Sequence, residues 1–391
     1  MDKQQARPRL AMDASAWCGG RGLGRYAAQM AAALEETGEV ELLPCAHSDN
    51  WGPWALPTQL RERARVWRSS HLPWHSFRMP VLARRLRPDA TWFPANEAAT
   101  WGCRPYILTV HDVAQAHFPE RFFRTGQEHR RYLRRLEQSV RRAGRVATDA
   151  EFSRQDICRV VGVAVEKTVT VTPGLDPVFR PVEAEEAKAV MDRLGVSGPY
   201  LLYVGGFDFR KNLERLLEAF RVLVDRGRLE QLVLVGSRGA DPRLYPDLRA
   251  VAERLGLSER TRFLEGQVRD DVTLRGLYSG AELFVFPSLF EGFGLPPLEA
   301  MACGTPVVCS TAASLPEVVG DAAMTHEPED VEGLARAMMR VLAEEDLRAG
   351  LREAGRRRAA GFTWATAARQ FLDRAVTPLV GGRGTGAESG R

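Results

Sequence analysis

Short apolar runs that alternate with longer helical patterns constrain the fold of this chain more than any other feature. The runs are rich in Val, Ile and Leu, and a polar or glycine-containing turn follows each of them, which is typical of an α/β protein with parallel sheets. In the first half the predicted strands are 9–13, 39–44, 106–111, 145–148 and 168–172. In the second half they are 200–204, 231–235, 261–264, 283–286 and 306–309, preceded by an amphipathic helix over 184–194.

A proline-rich segment, with Pro173, Pro177 and Pro181, separates the two series of strands. The 391 residues also exceed the usual size of one domain, roughly 100 to 200 residues. We therefore expect two Rossmann-like domains with parallel sheets facing a deep cleft. The predicted boundaries are 1–180 and 181–362, with a helix over 363–378 that crosses back to the first domain and a disordered tail over 379–391.

Composition narrows the class of protein. A hydrophobic content of 45% excludes a mostly disordered chain. The first ten residues are polar and charged, and no stretch approaches the roughly 18 apolar residues of a membrane span, so we expect a cytoplasmic protein. The six cysteines form no C-x-x-C pair, which favours reduced thiols over disulfides or a zinc site.

Two glutamates flank a glycine-bearing loop after the predicted strand 283–286. Gly292 and Gly294 allow backbone amides to approach a ligand at the start of the next helix, which is a favourable place for an anion. Glu291 lies in the loop and Glu299 about one turn into the helix, and a carboxylate accepts two hydroxyl donors at once. The alternative is structural: Glu299 would only stabilise the helix start, and Glu291 would be solvated.

The same segment carries a resemblance to a known family. It reads E-G-F-G-x-x-x-x-E from Glu291 to Glu299 and A-C-G-T-P-V-V over 302–308, and it resembles the family 4 glycosyltransferases of the two-domain GT-B architecture. The resemblance extends over roughly residues 10–371. It implies an enzyme of polysaccharide or O-antigen synthesis that transfers a hexose with retention of configuration. GDP-mannose is the first guess for the donor, and a UDP-sugar is close behind.

The resemblance also implies roles for the loop and for the domains. Glu299 is expected to hold the ribose of the donor, and Glu291 to bind the sugar hydroxyls. The neighbouring residues expected at the donor are Gly292, Phe293, Gly294 and Leu295. The second domain would bind the nucleotide sugar, and the first a glycan or lipid-linked acceptor.

A basic doublet, Arg210 and Lys211, follows the predicted strand 200–204 at the start of a helix. Cations are unfavourable at a positive helix end unless an anion joins them, and a leaving diphosphate is such an anion. A solvated turn with a cationic cap is the alternative. In similar enzymes the R-K-N segment binds the donor diphosphate. Because the chain contains no Asp-x-Asp, these cations are expected to replace a metal ion, and no cofactor is expected.

A glycine-rich segment, 19–26, follows the first predicted strand. Such a turn can bind a dinucleotide, with Glu39 or Glu41 on the ribose, so a nicotinamide-dependent oxidoreductase is an alternative function. The segment does not follow G-x-G-x-x-G, however, and it resembles the G-G-x-G-R-Y loop of family 4 enzymes. The resemblance implies that this loop meets the donor phosphates or the acceptor. The residues predicted there are Gly20, Arg21 and Gly22.

His111 ends the predicted strand 106–111, where its side chain would project into the cleft. A lone histidine is more often structural, but in similar enzymes the histidine of this T-V-H-D-V context contacts the transferred sugar. Asp149 belongs to a segment that resembles the S-x-F-S-R turn of the family and is predicted to bind the acceptor. The expected catalytic residues are His111, Arg210, Lys211 and Glu291.

Arginine and tryptophan are concentrated in the first half. Residues 61–145 contain 18 arginines, no lysines and seven acidic residues. Six of the eight tryptophans lie in or just before this stretch, at positions 51, 54, 67, 74, 92 and 101. No nucleic-acid-binding motif is present, so nucleic acid is not expected as a partner. Solvated helix faces and peripheral contact with the inner face of the membrane remain as alternatives, and similar enzymes dock there to reach lipid-linked acceptors.

Two rival functions complete the sequence analysis. The Glu291 to Glu299 loop argues against an epimerase or phosphorylase of the same architecture. A protein that binds a sugar nucleotide or a membrane without turnover would differ by the absence of product.

Overall fold

The computed structural model describes residues 7–15, 21–47, 58–68, 71–99 and 101–381. The strands of this part of the chain are β1 (Arg9–Asp13), β2 (Glu41–Ala46), β3 (Arg65–Val66), β4 (Ala90–Phe93), β5 (Tyr106–Thr109), β6 (Arg145–Thr148), β7 (Thr168–Thr170), β8 (Tyr200–Gly206), β9 (Gln231–Ser237), β10 (Thr261–Glu265), β11 (Leu283–Phe286), β12 (Val307–Ser310) and β13 (Met324–His326).

The α-helices are α1 (Arg21–Thr37), α2 (Thr58–Arg63), α3 (Met79–Leu86), α4 (Ala114–His117), α5 (Pro119–Phe122), α6 (Gly126–Arg142), α7 (Glu151–Val161), α8 (Ala184–Leu194), α9 (Leu213–Asp225), α10 (Leu248–Arg254), α11 (Asp271–Gly280), α12 (Leu295–Ala302), α13 (Leu315–Val319), α14 (Val331–Ala343), α15 (Glu345–Ala360), α16 (Trp364–Phe371) and α17 (Thr377–Val380). Short 3₁₀-helices span Val165–Lys167, Phe209–Lys211, Ser258–Arg260 and Gly320–Ala322, and π-helices span Trp74–Arg78 and Leu372–Val376.

The chain forms two compact units. The first contains residues 1–119, 123–174 and 362–391, and the second contains residues 120–122 and 175–361. The break after Gly174 lies within the proline-rich segment, a few residues before the predicted boundary at 180. No helix in the described part of the chain is long and apolar enough to span a bilayer.

The first unit is built on a parallel sheet with the order β3-β2-β1-β4-β5-β6-β7. Helices cover both faces of this sheet, as a parallel sheet requires. On one face α1 and α16 share a buried core, in which the rings of Trp92 and Phe371 lie 5.0 Å apart. Gly174 lacks the Cβ atom that would lie 2.1 Å from the backbone nitrogen of Trp364, so only glycine fits where α16 begins. The described residues from 362 to 381 therefore pack as part of the first unit.

The second unit has a parallel sheet with the order β10-β9-β8-β11-β12-β13. Its first strand, β8, lies beside β9 on one side and β11 on the other. The order of connection reverses at this point, and a crevice forms at the carboxyl ends of the strands wherever that happens in such sheets. The loops after β8 and β11 carry the basic doublet and the glutamate pair predicted from the sequence. The predicted α/β class with two parallel sheets is confirmed.

Several predicted boundaries were wrong. The strand predicted over 39–44 is β2, and it begins at Glu41. Gly38 turns the chain at a φ of 65°, and pairing with β1 starts where the Glu41 amide donates to the Pro8 carbonyl. The strand predicted over 106–111 ends at Thr109, because the His111 amide donates to the Asn96 side chain and not to a neighbouring strand.

Three short strands, β3, β4 and β13, were not predicted, since two to four residues carry little periodicity. The tail predicted as disordered over 379–391 was placed too early, because Leu379 and Val380 lie in α17 and pack against the core of the first unit. Residues 382–391 lie outside the described residues.

Candidate active site

Lys211 and Glu291 form a largely buried ion pair in the second unit. Nζ of Lys211 donates to Oε1 of Glu291 at 2.7 Å, and the two side chains are only 13% and 12% exposed. Lys211 ends the 3₁₀-helix after β8, whereas Glu291 lies in the loop after β11. The pair therefore joins the two loops that flank the reversal of connection in the sheet.

Two side chains, those of Asn212 and Ser314, fix the loop after β11. Nδ2 of Asn212 donates to the carbonyl of Pro287 at 3.0 Å and to that of Pro328 at 2.7 Å. The Ser314 hydroxyl bonds the carbonyls of Glu291 and Phe293 at 2.9 and 2.8 Å. Asn212 adopts a φ of 59°, a left-handed conformation that asparagine tolerates better than most residues. Because these donors occupy loop carbonyls, they restrict the direction in which the loop amides can point.

Gly294 sets the conformation at which α12 begins. Its φ is 121°, which favours glycine, and a Cβ atom there would lie 2.8 Å from Leu315. Leu295 is the first residue of α12, and Pro296 and Pro297 follow it without backbone N–H groups. Of the first three residues of α12, only Leu295 therefore has a backbone N–H group. The anion cradle predicted from the sequence stays a prediction.

Glu299 is buried in α12 and accepts a hydrogen bond from the Tyr278 hydroxyl at 2.8 Å. Tyr278 lies in α11, and its ring packs against Phe284 of β11. A buried carboxylate needs such donors, because its desolvation is costly. The structural alternative, in which Glu299 only stabilises the helix start by its charge, does not account for this burial and for a specific donor from another helix.

Arg210 is held beside Lys211 by Asp208. Oδ1 of Asp208 accepts a hydrogen bond from Nε of Arg210 at 2.7 Å and also caps the 3₁₀-helix through the Arg210 amide. The amide of Leu289 donates to the Arg210 carbonyl at 2.7 Å, which ties the two loops together through the backbone as well. The two consecutive residues of the doublet thus follow β8 at the carboxyl edge of the sheet, and each is paired with its own carboxylate.

In the first unit, His111 is bound at both ring nitrogens. Nδ1 lies 2.6 Å from Oδ2 of Asp149, and Nε2 lies 2.9 Å from the carbonyl of Pro94. A carbonyl can only accept, so Nε2 donates, and a carboxylate beside Nδ1 favours a proton there too. Burial opposes the charged form, but the attraction and hydrogen bond of Asp149 raise the pKa of His111 above its ordinary value. The two hydrogen bonds therefore hold the His111 ring in one orientation, and Asp149 favours its charged form.

Asp149 itself is buried, with its side chain 7% exposed. We predicted that it binds the acceptor, and its described hydrogen bond is instead to His111. Its assignment to the acceptor remains a prediction. The sequence carries no direct signal for the contact between Asp149 and His111, because it shows only that each residue lies at the end of a predicted strand.

The predicted glycine-rich turn falls partly outside the described residues. Gly20 belongs to segment 16–20, which the structure does not describe, whereas Arg21 and Gly22 lie in the first turn of α1 and not in a loop. A Cβ atom at Gly22 would meet nothing within 4 Å. The carboxylates considered for a dinucleotide ribose are engaged elsewhere, since Glu39 pairs with Arg369 and Glu41 with Arg9.

The arginine and tryptophan residues of the first half divide between several environments. Trp92 is fully buried in the core, and Trp51 and Trp54 lie outside the described residues. Helix α6 exposes a solvated row of arginines at 130, 131, 134, 135, 141 and 142. A different group surrounds an open surface groove of about 490 Å³ that is lined by Val81, Arg84, Arg85, Arg87 and Trp101.

Phe77 and Trp67 are two further aromatic residues near this groove. Phe77 and Trp101 are both 39% exposed, and the indole of Trp101 donates to the carbonyl of Ser76 at 2.8 Å. The Trp67 ring lies 6.2 Å from Phe77 and beneath the Arg85 guanidinium. We call this surface the arginine–tryptophan patch; it consists of Trp67, Phe77, Arg84, Arg85, Arg87 and Trp101.

Comparison with known proteins identifies the family. Residues 192–358 match the family model described as "Glycosyl transferases group 1", and residues 20–179 match "Glycosyltransferase Family 4". The D-inositol 3-phosphate glycosyltransferase of Saccharomonospora viridis is 31% identical over 299 residues, which cover 74% of this chain and 68% of that protein. The chain belongs to the family 4 glycosyltransferases. It is a nucleotide-sugar-dependent glycosyltransferase.

Two other proteins extend the comparison. The O-antigen chain mannosyltransferase B of Escherichia coli is 29% identical to this glycosyltransferase over 374 residues, which cover 90% of this chain and 95% of that protein. The solved structure of HepE from Anabaena in complex with UDP and glucose is similar in fold, with a TM-score of 0.74 and 19% identity, and the match covers 94% of this chain and 99% of that one.

Sequence reasoning missed several residues that shape the site of this glycosyltransferase. Asn212 was read only as the third letter of R-K-N, and nothing in the pattern indicated that its side chain reaches two loop carbonyls. Tyr278 lies in α11 and Ser314 immediately precedes α13, and neither helix was predicted. Their spacing from Glu299 and Glu291, 21 and 23 residues, gives no local signal.

The bond between Tyr278 and Glu299 generates a testable prediction. Tyr278→Phe removes the hydroxyl that orients Glu299, so the KM for the nucleotide sugar should rise roughly three- to ten-fold, the equivalent of about 1 kcal/mol for one hydrogen bond. Steady-state kinetics measure this change. The matched control is Tyr200→Phe, because the Tyr200 hydroxyl is also buried and donates to the carbonyl of Leu277 in α11 at 2.6 Å. An equal rise in both variants would contradict a specific role for Glu299.

Proposed function

We propose that this glycosyltransferase moves a hexose, with mannose as the first candidate, from a GDP-sugar or UDP-sugar to a hydroxyl group of an acceptor. The acceptor is a glycan, a lipid-linked sugar or a small molecule, the configuration at the anomeric carbon is retained, and no metal ion or cofactor takes part. The observation that carries the proposal is the buried pair of Lys211 and Glu291, at 2.7 Å, between the loops after β8 and β11.

Donor binding is assigned to the second unit. Arg210 and Lys211 would bind the diphosphate, because they are adjacent cations at the carboxyl edge of the sheet. Glu299 would accept the hydroxyls of the ribose. Glu291 would accept hydroxyls of the transferred sugar, assisted by the backbone of the loop residues Gly292, Phe293, Gly294 and Leu295. Gly22 would approach the donor phosphates from the first unit.

The chemistry follows from the charges. As the bond between the anomeric carbon and the diphosphate oxygen breaks, negative charge grows on the diphosphate, and Arg210 and Lys211 stabilise it. The acceptor oxygen forms its bond on the same face of the sugar, and its proton passes to the departing diphosphate oxygen. The sugar passes through an oxocarbenium-like state. His111 would orient the sugar during this step, and Gly20, Arg21, Gly22 and Asp149 are assigned to the acceptor.

The choice of sugar rests on relatives. The Escherichia coli protein that matches 90% of this chain is named a mannosyltransferase of the O-antigen chain, which supports mannose and a glycan acceptor. The Anabaena structure contains UDP and glucose, which keeps a UDP-sugar as the second candidate donor. Nucleic acid is not proposed as a partner.

A panel of nucleotide sugars tests the donor and the metal independence together. The purified protein is incubated with GDP-mannose, UDP-glucose or a related donor and with simple glycoside acceptors, and it should release the nucleoside diphosphate. Excess EDTA should leave this rate unchanged, because Arg210 and Lys211 would already neutralise the diphosphate. Complete loss in EDTA that only Mg²⁺ or Mn²⁺ reverses would contradict metal independence. Donor binding without release from any donor would favour the alternative of a sugar-nucleotide-binding protein without turnover.

We further propose that the protein is cytoplasmic and makes peripheral contact with the inner face of the membrane through the arginine–tryptophan patch. Arg84, Arg85 and Arg87 can meet anionic lipid headgroups, and Trp101 and Phe77 expose the aromatic surface that prefers a membrane interface. Such contact would bring the enzyme to a lipid-linked acceptor.

Vesicle co-sedimentation tests the membrane contact. The protein should sediment with vesicles that contain phosphatidylglycerol but not with neutral vesicles, and Arg84→Glu with Arg85→Glu should abolish the binding because the patch then repels the anionic surface. The matched control reverses two exposed arginines of α6, Arg130→Glu and Arg131→Glu. Equal loss in both double variants would indicate a diffuse charge effect and would contradict docking by the patch.

A further inference from the structure

A second titratable cluster lies at the carboxyl edge of the sheet in the first unit. Asp13 is the last residue of β1, a central strand of the sheet, and it is buried. Its Oδ1 accepts hydrogen bonds from the Trp74 indole at 2.8 Å and the Ser15 amide at 2.9 Å. Its Oδ2 lies 2.7 Å from Nε2 of His75. The carboxylate therefore fixes two consecutive side chains, those of Trp74 and His75.

The segment that carries these side chains has an unusual backbone. Trp74 and His75 open a π-helix, Trp74–Arg78, and short π-helical segments inside helices occur frequently at functional sites. Burying the Asp13 carboxylate costs free energy unless its hydrogen-bond partners compensate. Packing alone does not require a buried carboxylate that holds an imidazole, so this arrangement indicates a function. Because Nε2 of His75 is bound to Asp13, the ring has a fixed orientation and its Nδ1 points away from Asp13.

Nδ1 of His75 faces Glu97. The distance to Oε2 of Glu97 is 3.7 Å, which exceeds a direct hydrogen bond, and the Glu97 side chain is 63% exposed. Burial opposes the charged imidazole, but the hydrogen bond of Asp13 and the proximity of Glu97 raise the pKa of His75 to about 9. At neutral pH, Nδ1 therefore carries a proton. One hydroxyl group could accept a hydrogen bond from Nδ1 and donate one to Glu97. A water molecule could make the same two bonds, but a sugar hydroxyl would also fix the orientation of the sugar.

The loop after β4 connects this cluster to His111. Glu97 faces His75, while its neighbour Asn96 accepts the His111 amide at 2.9 Å through Oδ1 and donates to the Asp112 carbonyl at 3.2 Å through Nδ2. Two consecutive residues of one loop thus contact the two histidines. Since His111 is assigned to the transferred sugar, a group bound between His75 and Glu97 would lie on the same edge of the same unit.

We propose that His75 and Glu97 form a subsite for the hydroxyl groups of a neutral sugar residue of the acceptor, with Asp13 as the positioning residue. This inference rests on the proposed function, because it names the part of the acceptor that the first unit recognises. A neutral sugar fits better than a phosphate, since two carboxylates flank the single imidazole and repel a second anion. The proximity of His75 lowers the pKa of Glu97, and the exposed Arg135 of α6 adds a smaller effect in the same direction, so the carboxylate is favoured in its ionised form as a hydroxyl acceptor.

Saturation-transfer NMR with small glycosides tests the subsite in the full-length protein saturated with GDP or UDP. Methyl α-mannoside and methyl α-glucoside are the probes, and mannose 6-phosphate is the anionic comparison. At least one methyl glycoside should bind, and its affinity should fall at least ten-fold in Glu97→Ala and in His75→Gln. The matched control is Glu137→Ala, which removes a half-exposed glutamate of α6. The affinity for GDP or UDP should remain within two-fold in all three variants.

The outcomes separate the subsite from the proposed function. Failure of the wild type to bind GDP and UDP would contradict the donor assignment and not the subsite. With nucleotide bound, the absence of glycoside binding, an equal affinity in Glu97→Ala and Glu137→Ala, or tighter binding of mannose 6-phosphate would overturn the subsite. The positioning role of Asp13 has its own readout: in Asp13→Asn the His75 resonance, assigned by its loss in His75→Gln, should titrate well below pH 9. An unchanged titration would overturn that role.

Discussion

The proposed donor site of this enzyme depends on the ion pair between Lys211 and Glu291. Two charges that are little exposed lose most of their hydration, and only their mutual attraction and good geometry compensate for that loss. Removing one partner of such a pair typically costs roughly 3–5 kcal/mol, because the other charge remains buried. Nothing in a purely structural core requires this arrangement. The proposed binding of a diphosphate would explain it, because the anion would give Lys211 a second partner and free Glu291 to accept sugar hydroxyls.

The loop that carries Glu291 is fixed before any substrate arrives. Asn212 and Ser314 donate to its carbonyls, and Gly294 adopts a conformation that other residues adopt poorly. Donors that are already oriented stabilise developing charge without reorganisation during the reaction. The first unit repeats this strategy with side chains, because Asp149 orients His111 and Asp13 orients His75.

Much of the fold was predictable because it depends on local periodicity. The strands at 9–13, 145–148 and 283–286 and the helix at 184–194 have the predicted bounds, since each is a clear apolar or amphipathic run with a turn beside it. β4 was missed because its four residues, all buried, show no alternation and stand between prolines. Trp92 in that strand is a core residue, which the concentration of tryptophans in the sequence did not reveal.

The candidate site was predictable where residues that act together are close in sequence, as in the loop from Glu291 to Glu299. It was not predictable where contacts are made across the fold. Asp13 and His75 are 62 residues apart, and Lys211 and Glu291 are 80 apart, so neither pairing leaves a local pattern. Topology supplies what the sequence lacks, because the carboxyl ends of parallel strands bring such residues to one edge.

The most direct test of the central claim compares the binding of GDP with GMP, and of UDP with UMP, by calorimetry. The wild type should bind the diphosphate that matches its donor at least ten-fold more tightly than the monophosphate. Lys211→Met should abolish this preference and lower turnover by orders of magnitude, while Lys188→Met, which removes an exposed lysine of the same unit, should preserve both. In Lys211→Met with Glu291→Gln, the thermal stability should recover but the preference should not. A preference for the diphosphate that survives in Lys211→Met would contradict the account.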